Sequence, residues 1–161
     1  MRAILLATVA AILVQPIVFF LLFLTPALID GAHITQSDLF GLPLLAALFS
    51  VPFVVVLGIP AFILLRHINC VSPAPLSAVG FVAAAVPFGI FGWSECQGCS
   101  SGGNWYGTPV DFVLNGHRTY YGWLEYFQGI VFYGIHGLVG ALAFLVAWRR
   151  IRALTTASSA T

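Results

Sequence analysis

Lysine is absent from this chain, and all six of its basic residues are arginines. Charge of either sign is scarce: five acidic side chains accompany those arginines, and the formal net charge is +1. A soluble domain carries about a quarter of its residues charged, against 7% here. No basic face exists on which a phosphate backbone could be neutralised, which excludes nucleic acid as a partner. Cysteine is sparse as well, with three in the chain, too few for a disulfide-stapled scaffold. A glycine-rich phosphate loop, a serine–histidine–acid trio and paired carboxylates within a hydrophobic run are all missing. Nucleotide hydrolysis, intramembrane proteolysis and proton-coupled transport therefore lack their usual residues.

Present instead are 60% hydrophobic residues and a mean hydropathy of +1.02. Several apolar runs exceed the roughly 18 residues that separate a spanning helix from a buried one. They predict an all-α integral membrane protein with four transmembrane helices over about 3–29, 39–65, 73–93 and 123–148. Connecting segments 30–38 and 94–122 separate the first from the second helix and the third from the fourth. The unit is a single membrane domain over 1–152, followed by a disordered tail over 153–161. The N-terminal run is too long for the h-region of a signal peptide and reads as an uncleaved span.

The few charges are sorted. Arg2, Arg66, Arg149, Arg150 and Arg152 lie at the N-terminus, after the second run and after the fourth. Asp30, Asp38, Glu95, Asp111 and Glu125 lie in or beside the other two connections, where Arg118 is the only basic residue. Arginine collects on the cytoplasmic side of short loops. The expected topology therefore has both termini inside, with 30–38 and 94–122 facing outward, in the inner (plasma) membrane of a bacterial cell. Trp93, Trp105, Tyr106, Tyr120, Tyr121, Trp123 and Tyr126 surround the larger outer segment as an interfacial belt would.

Local signals refine the boundaries. Ser72-Pro73 suits the start of the third helix, and Thr35 or Ser37 that of the second. Thr108-Pro109-Val110-Asp111 resembles a capping box, and Asn115-Gly116 a helix stop, so a short interfacial helix is expected over about 109–114. Ser100-Ser101-Gly102-Gly103-Asn104 has the composition of a flexible linker. Pro16, Pro52 and Pro87 mark mid-span positions where kinks are expected. Small residues recur at Ser77, Gly80 and Ala84 on the third helix, and at Gly134, Gly137 and Ala141 on the fourth. These stripes predict close contact between those two helices.

Three groups of residues could carry chemistry. His136 and Gln15 lie near the centres of the fourth and first spans, where polar groups are costly and need partners. They suit either a mutual hydrogen bond or a small transporter working through His136. Cys96-Gln97-Gly98-Cys99 faces an oxidising compartment, as a disulfide, a redox pair or half of a metal site completed by His117 with His33 or an outer acid. A quinone-reducing thiol oxidase would need a second cysteine pair, and Cys70 lies alone on the opposite side. His33, Asp111, His117 and Glu125 mark an acidic outer face open to a protein partner. No cofactor is expected, and nothing in the pattern specifies a number of copies. The function that best fits is non-enzymatic: an interaction or accessory protein embedded in the bilayer, for which a membrane immunity protein is one compatible role. A redox-active or metal-handling protein using Cys96 and Cys99 is the alternative.

Overall fold

The computed structural model describes residues 2–29, 31, 33–92 and 98–158, the side chains of 156–158 excepted. Four of its helices are long and apolar enough to cross a membrane: Arg2–Ile29, Gln36–His67, Pro73–Phe91 and the Tyr120–Thr155 part of a helix that runs to Ser158. The chain is a multi-pass membrane protein by length and composition of these helices. Their apolar side chains point outward in large numbers, with Leu44, Leu48, Phe49 and Val56 all exposed. In water that pattern would be an aggregation surface, whereas lipid solvates it.

The second helix starts at a complete capping box. Thr35 accepts from the Asp38 backbone N–H, and the Asp38 carboxylate accepts from the Thr35 N–H at 3.0 Å. Ser72 occupies the N-cap of the third helix without a side-chain bond, and Pro73 supplies the pre-set first turn. The fourth helix passes its expected end at 148 and remains helical through Ser158, so most of the segment 153–161, expected to be a disordered tail, continues it.

Proline reshapes two helices, though mostly at other positions than expected. Helical geometry is continuous across Pro52 and Pro87. The α-helix is interrupted at Val14, just before Gln15-Pro16. It widens into π-turns over Phe20–Leu24 and Val54–Gly58, each leading directly into an Xaa-Pro pair, Thr25-Pro26 and Ile59-Pro60. A proline in a helix lacks an N–H and collides with the carbonyl four residues earlier. Shifting the preceding bonds to the wider spacing relieves that collision: the N–H of Thr25 donates to the carbonyl of Phe20, and that of Ile59 to Val54.

The third and fourth helices form the closest pair. A Cβ added to Gly80 would stand 2.6 Å from the Gly137 carbonyl oxygen and 2.7 Å from the Ala141 Cβ. Conversely, one added to Gly137 would strike the Gly80 carbonyl and Ala84. The two small-residue stripes therefore face each other, as their spacing requires. Gly134 and Gly129 are notches that receive the rings of Phe81 and Phe88 from the third helix. The first helix packs on the other side of the fourth, where Gly140 leaves room for the Gln15 amide. Ala7, Ala11, Phe62, Leu65, Leu76, Phe144, Leu145 and Trp148 close the core near the arginine-bearing end, with Phe62 set edge-on against Phe144 and Trp148.

The segment between the third and fourth helices holds the principal correction. The short interfacial helix expected over about 109–114 is instead part of a three-stranded antiparallel sheet, so the fold is a helical bundle carrying a small sheet rather than all-α. The strands are β1 (Ser101–Trp105), β2 (Thr108–Leu114) and β3 (His117–Arg118), in the order β1-β2-β3. Tyr106-Gly107 and Asn115-Gly116 are two-residue turns in which both residues have positive φ, 48° and 88° in the first and 49° and 85° in the second. Such mirror-image turns match strand twist, and Asn-Gly favours them above most pairs. Asn115-Gly116, expected as a helix stop, is instead a hairpin turn between Leu114 and His117. The Ser101-to-Asn104 stretch, flexible by composition, is ordered as β1 because β2 supplies it with a partner.

Gly137→Leu forces apart two backbones in contact and is expected to cost about 1–3 kcal/mol or more of stability. Loss of helical circular dichroism at lower denaturing-detergent fraction measures this. Parental stability would mean that the two helices do not touch at Gly137.

Candidate functional site

Within the bundle, the amide of Gln15 lies against the imidazole of His136. Gln15 is 3% exposed. Its Nε2 donates to the Ala11 carbonyl at 3.0 Å and to the His136 carbonyl at 3.3 Å. Its Oε1 lies 2.7 Å from His136 Nδ1. Reversing the amide would set an oxygen against two carbonyl oxygens, so this orientation is the favourable one. With both amide hydrogens committed to carbonyls, Oε1 is left as an acceptor and Nδ1 must carry the proton. The other ring nitrogen is Nε2. That nitrogen is buried and has no hydrogen-bond partner among the described residues. Rings of Phe132 and Phe19 flank it, at 4.8 and 6.5 Å between centroids.

This pair sits on the wall of a cavity of about 600 Å³, within the range of small-molecule sites. All four helices contribute to it: Phe19 from the first, Phe49 from the second, Ala83 and Phe88 from the third, Tyr133 and His136 from the fourth. The walls are overwhelmingly apolar. No metal-ligating group joins His136 there: among the described residues, no three His, Cys, Asp or Glu side chains converge anywhere.

At the opposite pole from the arginines, the sheet is bolted to the helices. Arg118 Nη2 donates to the Gly92 carbonyl at 2.7 Å, and Nη1 to the Gly122 carbonyl at 3.3 Å. Its guanidinium lies over the Tyr126 ring at 4.9 Å. Gly92 is the C-cap of the third helix, where a cation complements the dipole. The Tyr126 hydroxyl donates to the Gly89 carbonyl one turn earlier. Thr119 caps the fourth helix by accepting from the Gly122 N–H at 3.2 Å, while its own hydroxyl lies within reach of the Asp111 and Phe112 carbonyls of β2. Gln128 donates to the Tyr106 hydroxyl at 2.7 Å, tying the first hairpin turn to the fourth helix.

The outward candidates are distributed over this end without forming one cluster. Asp111 is exposed on β2, His117 is exposed on β3, Glu125 is exposed on the fourth helix, and His33 is exposed ahead of the second helix. Cys99 is described and its carbonyl accepts from the Gly116 N–H at 2.8 Å, whereas Cys96 lies outside the described residues. Cys70 is a free, exposed thiol at the arginine-bearing end. Tyr133, one turn before His136, also lines the cavity, and Arg118, the lone basic residue among acids, serves as a structural post; composition marks the second and gives no signal of the first.

Gln15→Leu and His136→Leu should each cost about 0.6–1.7 kcal/mol, the range of hydrogen bonds between membrane helices. The double variant should lose less than the sum of the two. Strictly additive losses in detergent unfolding would mean that the two side chains are not coupled. Compared with known proteins, the chain matches no family model, no curated protein and no solved structure.

Proposed function

We propose that this chain is a non-enzymatic interaction or accessory protein of a bacterial inner membrane, and that its three-stranded sheet is the face that meets a protein partner. Both termini lie in the cytoplasm, and the sheet lies outside. The observation that carries this reading is the fixation of the 98–119 segment. Arg118, Thr119 and Gln128 hold it against two helices through backbone and side-chain hydrogen bonds. A loop with no task beyond linking two helices needs no such anchoring. The sheet offers Asp111, His117 and Tyr106 as exposed side chains, and among the described residues β1 pairs on one side with β2 alone. A short polar edge of this kind suits recognition of an extended segment by strand addition. The sorting of five arginines to the other pole supports the orientation.

In this arrangement Cys96 and Cys99 face an oxidising compartment and are joined in a disulfide. A membrane-impermeant maleimide applied to intact cells should modify Cys96 and Cys99 only after reduction, and Cys70 only after permeabilisation. Labelling of Cys70 from outside would reverse the topology. For the recognition face, a photoreactive residue placed at Asp111 or Tyr106 should yield a discrete protein adduct in cells, and one at the lipid-facing Leu48 should not. Equal adducts at all three positions, or none at the sheet, would remove the sheet from partner binding.

A further inference from the structure

Charge sorting accounts for how many arginines gather at one pole, but not for the faces they occupy. Basic residues collect on one side of a membrane whichever way they point around their helices. Here three of the five continue the inward-facing seam of the bundle. The second and fourth helices both end at this pole, where Phe62 stands edge-on to Trp148 at 5.1 Å between centroids. Arg66 follows Phe62 by one turn and Arg152 follows Trp148 by one turn, so the two positions stand level on facing helices. Arg149 follows Leu145, a member of the same buried cluster, by one turn as well. Arg2 and Arg150 differ. Each lies one turn beyond an outward side chain, Leu6 at 55% and Val146 at 59% exposure.

Helix dipoles explain only part of this convergence. A cation in the last turn of a helix complements its dipole, which suits Arg66 at the end of the second helix. The fourth helix continues to Ser158, so Arg149 and Arg152 precede its last turn. The third helix begins at this pole and directs the positive end of its dipole toward it. Along the chain no acidic side chain lies between Asp38 and Glu95 or after Glu125. Like charges converging on one seam repel, and the potential they create attracts an anion.

The chemistry of that anion follows from the side chains and their place. The Arg152 guanidinium lies over the Trp148 ring at 4.8 Å. Stacking engages the face of a guanidinium, whereas its N–H donors lie in the plane and match two phosphate oxygens at once. Arginine is costly within hydrocarbon, so the pole that carries five of them lies at headgroup level, where phosphate is the abundant anion. Three converging cations exceed the single charge of one phosphodiester. Basic sites between membrane helices suit headgroups with more than one phosphate.

We propose that Arg66, Arg149 and Arg152 bind the headgroup of an anionic phospholipid that carries two phosphates, its acyl chains passing into the surrounding bilayer. Such a lipid would tie together the ends of the second and fourth helices. Arg2 and Arg150 stand outside the site.

The test is native mass spectrometry of the full chain in detergent, titrated separately with diphosphatidylglycerol, phosphatidylglycerol, phosphatidylcholine and inorganic pyrophosphate. One diphosphatidylglycerol per chain is expected at concentrations where phosphatidylcholine and pyrophosphate leave the chain unoccupied. Arg66→Gln, Arg149→Gln and Arg152→Gln should each weaken that binding roughly fivefold, in variants with parental helix content and elution volume. Arg2→Gln and Arg150→Gln should leave it within about twofold of the parent, since neither faces the seam. Equal losses in all five variants would overturn the proposal, because they would reduce the effect to net charge. Occupancy by phosphatidylcholine at the same concentrations would overturn it too, and so would pyrophosphate binding as tightly as the lipid, which would make this a site for soluble phosphates. Phosphatidylglycerol binding as tightly as diphosphatidylglycerol would overturn the assignment of two phosphates. In cells, a photoreactive residue replacing the exposed His67 should yield a lipid adduct; a discrete protein adduct without lipid would overturn the proposal by giving the arginines to an acidic protein.

Discussion

Direct backbone contact between the third and fourth helices is the constraint on which the rest of the structure depends. Lipid offers no hydrophobic drive for one apolar helix to leave it for another, so association must come from close packing and polar contacts. Gly80 and Gly137, each backed by an alanine one turn further on, let two backbones touch at one crossing point. Phe81 and Phe88 then fall into the notches at Gly134 and Gly129. With this pair set, the first helix can lie along the fourth, and the second must take what space remains. Its Val54–His67 half reaches the core, while its Gln36–Phe53 half leans on the first helix and leaves a cavity. The cavity is thus a consequence of which helices own the small residues.

Polar groups follow the same economy of partners. Gln15 satisfies both amide hydrogens on backbone carbonyls and spends its oxygen on His136, which consumes every hydrogen-bonding atom but Nε2. Arg118 and Tyr126 do the equivalent at the other pole, where the last carbonyls of the third helix would otherwise lack donors. That makes Arg118, the lone basic residue among acids, a piece of architecture. Fixing the sheet and capping the third helix are a single act, which is why a segment rich in glycine and serine is ordered at all.

The spans, their small-residue faces, the Thr35 cap and the pairing of Gln15 with His136 were all legible along the chain, because each rests on local composition or on depth within a span. Three features were not. The 109–114 segment satisfied the pattern of a helix start, yet its Val-Asp-Phe-Val alternation and two glycine-containing turns favour strands once a neighbour is present to complete the ladder. Short segments are ambiguous for this reason: a strand's hydrogen bonds are made with residues elsewhere, and the chain read alone does not contain that partner. The π-turns are not legible along the chain because Pro16, Pro52 and Pro87 carry the same local signal as Pro26 and Pro60, yet only the last two are preceded by the wider spacing. Tyr133 reads as one more aromatic in an apolar helix, and only the assembled bundle places it on the cavity wall.

Sequence by itself determined that this is a four-span membrane chain with charges sorted to opposite poles, since hydrophobic length and charge placement act residue by residue. Tertiary structure alone decided that the connecting segment is a sheet, that Arg118 anchors it, and that an apolar cavity lies between the helices. Each of these depends on which surfaces meet across distant stretches of chain, and contact between helices is a property of their faces taken together.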